Sequence, residues 1–473
     1  MALAVNEPND EIRALQEQWC KLEALDGGTP AMRKAGVSLL PKWPAEEDAD
    51  YKARLCTATL FPAWKRTVNV MSGKPFAKAL TLKDAAPSIE KWAEDIDQQG
   101  VSLHNFAAEM FREDVGYGLC GILVDYPRAP AGGFRSRAEQ EASGQRPYWV
   151  RVKHGQVLGW RTATVGGKVQ LSQLRLLESH EEEDGEFGTK QVQQVRVLRP
   201  GSWSLYRQTT DARKQTSWQL IESGTTSLPV IPFVPLYGVR ESFMVGHPPL
   251  LDVAYLNIKH WQSQSDQDNI LHVARVPILV VYGGSDETEL KVGGSSAMKM
   301  PATTAGAEVS YTEHSGAAIE AGAKSIASLE EQMIQAGAEL LVKKPGDRSA
   351  TESANDAEGN KSDLQRISEN FEDALDQALV FTAMYAGIPV EQAGSVELYD
   401  GYGEATLGDA SATLVKDLWQ GGLISRGTAI AEFKRRGDLA PEVDAEAEAA
   451  AVAEEGPPLG MIAAVPGEED EAA

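Results

Sequence analysis

The sequence predicts an α+β protein with two or three compact parts, on three observations. Its first third repeats apolar residues at helical spacing. Residues 148–236 switch to short β-type runs separated by glycine and polar turns, and long amphipathic segments return after Gly246. At 473 residues the chain also exceeds the roughly 250–300 residues that a single core usually organises.

Ile12, Leu15, Trp19 and Leu22 share one helical face, and Gly27-Gly28 closes that helix. Tyr51 to Ser72 repeats the pattern and ends at Gly73, with Pro75 beyond. Ser102 is placed to cap a third helix, SLHNFAAEMFREDVGYG, which steps into the apolar strand GILVDYP. From Tyr148 to Pro235 the runs YWVRVK, KVQLSQLRLLES, QVQQVRVLRP, SWSLYRQ and LPVIPFVPLY read as strands. Pro248-Pro249 introduces a helix with Leu251, Ala254, Tyr255, Ile258 and Trp261 on one face, followed by the strand PILVVYG and a Gly-, Ser- and Thr-rich span to about Gly316. Another helix aligns Ile319, Ile326, Leu329, Met333 and Leu340 and stops at Lys343-Lys344-Pro345-Gly346. The last long helix starts at Ser362, with Gln365 three residues on for a capping box and Asp363 at the positive end of the dipole. Its stripe of Leu364, Ile367, Phe371, Leu375, Leu379 and Thr382 runs to Gly387 and Pro389. About 24 residues there make a rod of about 35 Å.

The net charge of −24 argues against a protein that grips nucleic acid over a broad basic face. Ten Asp and Glu and no Lys or Arg fall between Pro441 and Ala473, which leaves −14 for the rest. That tail turns to low complexity and is expected to be disordered at its end. No apolar run approaches a membrane span and the N-terminus is too acidic for a signal peptide, so a soluble intracellular protein is expected. Cys20, Cys56 and Cys120 form no CxxC pair, which points to small buried hydrophobes rather than a disulfide or zinc site.

Three catalytic signatures are missing from the sequence: GxxxxGK[ST], HExxH and GxSxG do not occur. Neither a metal nor a cofactor is expected. Asp125, at the end of GILVDYP, is the best enzymatic candidate, and a turn-capping role before Pro127 is the preferred reading of it. His180 in SHEEEDGE has carboxylates beside it that could share a cation, but a solvated hairpin turn explains the same run. An alternative function is therefore a metal-assisted hydrolase using Asp125 and His180. Asp347, Arg348, Ser349 and Glu352 form a charged cluster after Pro345-Gly346, where Ser349 has no base at defined spacing and Arg348 with Glu352 reads as a local ion pair.

Several stretches in order resemble the portal proteins of tailed bacteriophages, in the branch defined by a domain of unassigned function. They are YKARLCTATLFPAWKRTVNVMSGKPF, GYGLCGILVDYP, ARVPILVVYG, EQMIQAGAELLVKKPGDRSATES and LVKDLWQGGLISRGTAIAEFKRRGDL, covering about Met32 to Arg436. The resemblance implies a portal-type subunit with a wing at 1–246, whose β-rich part is 148–236. A stem helix at 247–274, a clip at 275–316 and a returning stem helix at 317–342 follow. A tunnel loop at 343–361, a long helix and wing return at 362–408, a helical crown at 409–455 and an acidic tail at 456–473 complete the plan. It also implies a homo-oligomeric ring, commonly a dodecamer, at one capsid vertex of the virion, assembled in the host cytoplasm without a membrane. Double-stranded DNA would pass through it weakly held during packaging and ejection. The terminase large subunit, head-tail connector proteins and the major capsid or scaffolding protein would be its partners.

Lys343, Lys344, Asp347, Arg348, Glu352 and Lys361 would then belong to the DNA channel. Residues 343–361 hold four basic and four acidic side chains, so their net charge is zero. This suits a channel, since each neutralised phosphate would add affinity and act as a brake. Phe371, Leu375 and Leu379 are expected to pack at or beneath a subunit interface, and the protein is expected not to be an enzyme.

Overall fold

A computed structural model describes residues 4–127, 143–210, 216–274, 278–282, 308–312, 316–341 and 362–401, with a few helical positions between 416 and 433. The chain divides into two units, Met1–Leu398 and Tyr399–Ala473, and the elements that follow belong to the first.

Helix α1 (Asp10–Asp26) begins where the Asn9 side chain accepts the Ile12 N–H at 3.1 Å, and it buries Ile12, Leu15, Trp19 and Leu22. Gly27 ends it and at once opens α2 (Gly28–Ala35). The single helix expected over 51–72 is two, α3 (Asp48–Thr57) and α4 (Ala63–Gly73). Pro62 explains the break, because it has no N–H and disfavours helical geometry in the residue before it. The start of α4 carries no side-chain cap of its own. Asn257, fully buried on α7 (Leu251–Ala274), supplies one from across the fold: its Oδ1 accepts the Trp64 N–H at 3.0 Å and its Nδ2 donates to the Phe61 carbonyl at 2.8 Å. Short α5 (Pro87–Trp92) leads to α6 (Leu103–Tyr117), capped by Ser102 as expected. Gly118 closes α6 at φ 78°, and a Cβ there would lie 2.1 Å from the His247 backbone, so both conformation and space demand glycine.

The strand after α6 is β2 (Leu119–Asp125), the centre of an antiparallel sheet with β3 (Tyr148–Val152) on one side and β9 (Phe233–Tyr237) on the other. Its first six residues are all buried. Gly121 is required there because a Cβ would meet the Phe233 ring at 2.2 Å. A second sheet, β4 (Val157–Val165), β5 (Lys168–Asp184), β6 (Gly188–Arg199), β7 (Ser202–Thr210) and β8 (Thr216–Thr225), is an antiparallel meander in chain order. Two small ladders join β1 (Thr81–Ala85) to β14 (Ala393–Glu397) and β10 (Val239–Ser242) to β11 (Val245–His247).

Helix α7 pairs antiparallel with α8 (Ala317–Ala338): Gln267 Nε2 donates to the Ile319 carbonyl at 2.9 Å, and His260 Nε2 lies 3.2 Å from Glu330 Oε1. Between them in sequence β12 (Ile278–Tyr282) pairs with β13 (Glu308–Thr312). Helix α9 (Asp363–Ala386) carries the predicted capping box of Ser362 and Gln365 and ends at left-handed Gly387. Two expectations need correction. Cys20 and Cys56 are exposed and only Cys120 is buried, because the first two lie off the apolar faces of α1 and α3. Tyr255 is 44% exposed and meets Lys21 Nζ at 3.2 Å instead of joining Ala254, Ile258 and Trp261 in the core.

Candidate functional site

The proposed channel residues Lys343, Lys344, Asp347, Arg348, Glu352 and Lys361 lie outside the described residues, as does Ser349. Phe371, Leu375 and Leu379 are described, and the chain itself buries them to 2% exposure or less. Phe371 meets Phe111 of α6 edge-on at 5.1 Å and Phe76 at 6.5 Å. Nearby, Trp149 of β3 donates its indole N–H to Thr382 Oγ1 at 2.8 Å and sits 5.6 Å from the Phe106 ring. The α9 stripe thus closes the chain's own core over the three-stranded sheet.

Asp125 ends β2 and is held from three sides. Its Oδ2 accepts from Arg196 Nη1 at 2.8 Å and from the Tyr148 hydroxyl at 3.4 Å, while Oδ1 accepts the Tyr126 N–H at 2.9 Å. Arg196 also places Nε 2.8 Å from Glu178 Oε1, an ion pair whose geometry falls short of a hydrogen bond. Desolvation alone would lower the Arg196 pKa, but Glu178 and then Asp125 outweigh it, and the guanidinium stays charged. Burial pushes the Tyr148 hydroxyl up to about 12 and raises that of Tyr385, with the Asp125 charge adding to both. Asp125 thus accepts hydrogen bonds at a sheet junction, held by a partner 71 residues away.

His180 is not brought to it. Arg196, which holds Asp125, stands opposite Leu176, whereas His180 stands opposite Val192, four rungs further along β5 and roughly 13 Å away. Among the described residues no three His, Cys, Asp or Glu side chains assemble as a metal-holding group. The hydrolase arrangement of Asp125 with His180 is thus absent from the fold.

Asp125 does border a cavity of about 420 Å³, whose wall also includes Leu198, Trp203, Leu205, Ile231 and Tyr385, with Arg199 beside them. Its lining hydroxyls, Ser202, Thr225, Thr226 and Ser227, have no histidine, cysteine or lysine among the other lining residues to activate them. Chemically it can receive an aromatic or apolar group and hydrogen-bond its edges.

One cluster escaped sequence reasoning. His154, after β3, directs Nδ1 to Glu113 of α6 and places Nε2 3.1 Å from Glu23 of α1, with its ring stacked on Tyr117 at 3.5 Å. Next to Glu113, Asp114 is 1% exposed, and its Oδ1 has no hydrogen-bond partner among the described residues. Burial, with the neighbouring Glu113 charge, raises the Asp114 carboxyl well above its usual range, and burial does the same to the Cys120 thiol. The EDVGYG run gave a signal for this, two acids in the last turns of an otherwise apolar helix. The packed ring makes it a structural junction between α1, α6 and the turn after β3.

Residues 249–386, from just before α7 to the end of α9, match the protein family described as a domain of unknown function (DUF4055). No curated protein matches the sequence. Among solved structures, a chain from the neck of an empty gene transfer agent (GTA) particle, computed with C6 symmetry, aligns at 11% identity and TM-score 0.37, over 80% of this chain and 90% of that one. A chain from the virion of a native GTA particle aligns at 11% identity and TM-score 0.38, over 86% and 99% respectively. One from the neck of a native GTA particle, computed with C12 symmetry, aligns at 10% identity and TM-score 0.37, over 78% and 88%.

Proposed function

We propose that the chain is the repeating subunit of a phage-type portal, a ring at one capsid vertex through which a separate terminase packages double-stranded DNA. DNA leaves by the same channel, and tail connectors dock on the ring. The observation that carries this reading is the order of elements matched by the family, 249–386. Helix α7 is followed by the β12–β13 ladder, the antiparallel return of α8, the charge-balanced segment 343–361 and the long capped helix α9. In the portal plan these are stem, clip, returning stem, tunnel loop and long helix. The role is mechanical and electrostatic rather than catalytic: an acidic ring repels the duplex from its walls, and a neutral loop follows DNA without holding it.

Native mass measurement and electron microscopy of the purified protein test the reading. Closed rings of about twelve copies, with neither ATP hydrolysis nor DNA cleavage, are the expected result. A protein that stays monomeric at every soluble concentration would sink it. Changing Asp347, Glu352, Asp356 and Glu358 to Lys should leave assembly intact yet stall packaging at low salt, with partial recovery at high salt. Normal packaging at low salt by that variant would remove the loop from the channel.

A further inference from the structure

Strand β6 carries an unsatisfied feature at each end. At its outer end, the six pairs from Ser179↔Gln193 to Asp184↔Gly188 form a ribbon with no third strand among the described residues, because β4 stops pairing at Leu176 and β7 joins only from Gln194. At about 3.4 Å per residue the ribbon extends roughly 20 Å past the sheet, and two-stranded ribbons of this kind are marginal on their own in water. Phe187 occupies its tip and is 94% exposed, with exposed Glu183, Asp184 and Glu186 around it. At the inner end, Leu198 and Arg199 border the cavity walled by Trp203, Leu205, Ile231 and Tyr385, and Arg199 is exposed.

These two features match in chemistry and cannot meet within one chain. An aromatic knob on an acidic tip suits a cavity with aromatic and aliphatic walls and a cation at its rim. Gly188 and Leu198 belong to one continuous strand, so tip and cavity lie roughly 34 Å apart in the same subunit. We propose that Phe187 of one copy of this chain seats in the Leu198–Trp203–Tyr385 cavity of a second copy, with the acidic tip against Arg199. Knob and hole stand at opposite ends of the strand, so the contact is head-to-tail, and its repetition gives a ring or a filament. One phenylalanine buries only about 150–250 Å², so this contact is a latch within a larger interface. The inference rests on the ring reading above and gives that ring one of its subunit contacts.

Cross-linking tests it in a Cys20→Ser, Cys56→Ser background, which keeps only buried Cys120. Glu186→Cys protein, which keeps the Phe187 knob, is mixed with a size-tagged Ser227→Cys protein, since Glu186 is exposed beside the knob and Ser227 is exposed and lines the cavity. Oxidation is expected to give the mixed disulfide as the main product, and the Glu186→Cys, Ser227→Cys double variant should give a ladder of multimers. Phe187→Ser and Arg199→Glu should each raise the concentration needed for assembly by at least about tenfold. Pairing Arg199→Glu with Asp184→Lys and Glu186→Lys should restore it. Rings that form without the mixed disulfide overturn this contact and leave the portal reading standing. The mixed disulfide in open chains without closed rings supports the contact and counts against a portal, and monomers with no cross-link overturn both.

Discussion

The two main sheets of this protein are antiparallel and share a unit, yet they differ in what surrounds them. In the β3–β2–β9 sheet every residue from Leu119 to Val124 is buried, with α6 and α9 packed nearby through Phe106, Phe111 and Phe371. In the five-stranded sheet the inner half of β5 alternates buried and half-buried positions, while its outer half, Ser179 to Asp184, is largely exposed. The difference teaches where each sheet gets its stability. The first is held by apolar area removed from water, about 25 cal/mol per Å². The second ends in a ribbon held by backbone hydrogen bonds and by a few side-chain contacts, Ser179 with Gln191 and Arg207 of β7 with Glu182, so the order of its tip depends on what it meets.

The largest effect expected from this contrast comes from placing a charge in the covered region. Phe371→Asp puts a carboxylate where the side chain is 2% exposed and faces two aromatic rings. It should cost more than about 4 kcal/mol, beyond what most single changes cost, and abolish folding before any assembly step. Circular dichroism of the soluble fraction decides it: recovery of a folded monomer would mean that α9 is a docking helix and not part of the core.

The covered region also makes a pH prediction. Asp114 has a raised carboxyl pKa in the fold, with burial the main cause. Above the unfolded value of about 3.9, the folded state keeps a proton that the unfolded state has lost. The contribution of this group is therefore fully present below the unfolded pKa and is lost as pH rises through the folded one. Asp114→Asn should remove that fall, leaving the variant less pH-sensitive than the parent by about 1–3 kcal/mol between mildly acid and mildly alkaline urea titrations. Parallel pH profiles for the two proteins would show that Asp114 is ionised in the fold and that its burial is compensated.

Much of the covered region was legible because its signals are local. GILVDYP announced a buried strand, Ser362 with Gln365 announced a helix start, and the stripe from Leu364 to Thr382 is buried at every position named. Pro62 in FPAW marks the split between α3 and α4, and the helical spacing of the apolar residues around it conceals the break. What could not be read are contacts fixed by long-range register. Asp125 finds Arg196 and α4 finds Asn257 only because strands and helices distant in sequence settle into one alignment. The same holds for the ribbon: SHEEEDGEF reads correctly as a solvated turn, but nothing local reveals that β4 and β7 stop short and leave Phe187 uncovered. Of the candidate site, Asp125 was legible as a strand-end acid, while the cavity beside it is built from five separate stretches of chain, 123–127, Tyr148, 196–205, 225–232 and Tyr385.

The smallest expected effect sharpens the comparison most. In the dissociated subunit, Phe187→Ser should change unfolding free energy by no more than about 0.5 kcal/mol, because a side chain that is 94% exposed contributes almost no buried area. Amide hydrogen exchange should separate the sheets in both proteins. Amides of β2 that donate to β3 and β9 should exchange only through near-global opening, and those of residues 179–184 and 188–193 through local fraying at far lower free energy. Assembly should then slow exchange in the ribbon of the parent protein and leave it fast in Phe187→Ser, while β2 stays unchanged in both. If the dissociated parent already protects the ribbon as strongly as β2, the ribbon is covered within its own chain, and the distinction between the two sheets fails at its weakest point.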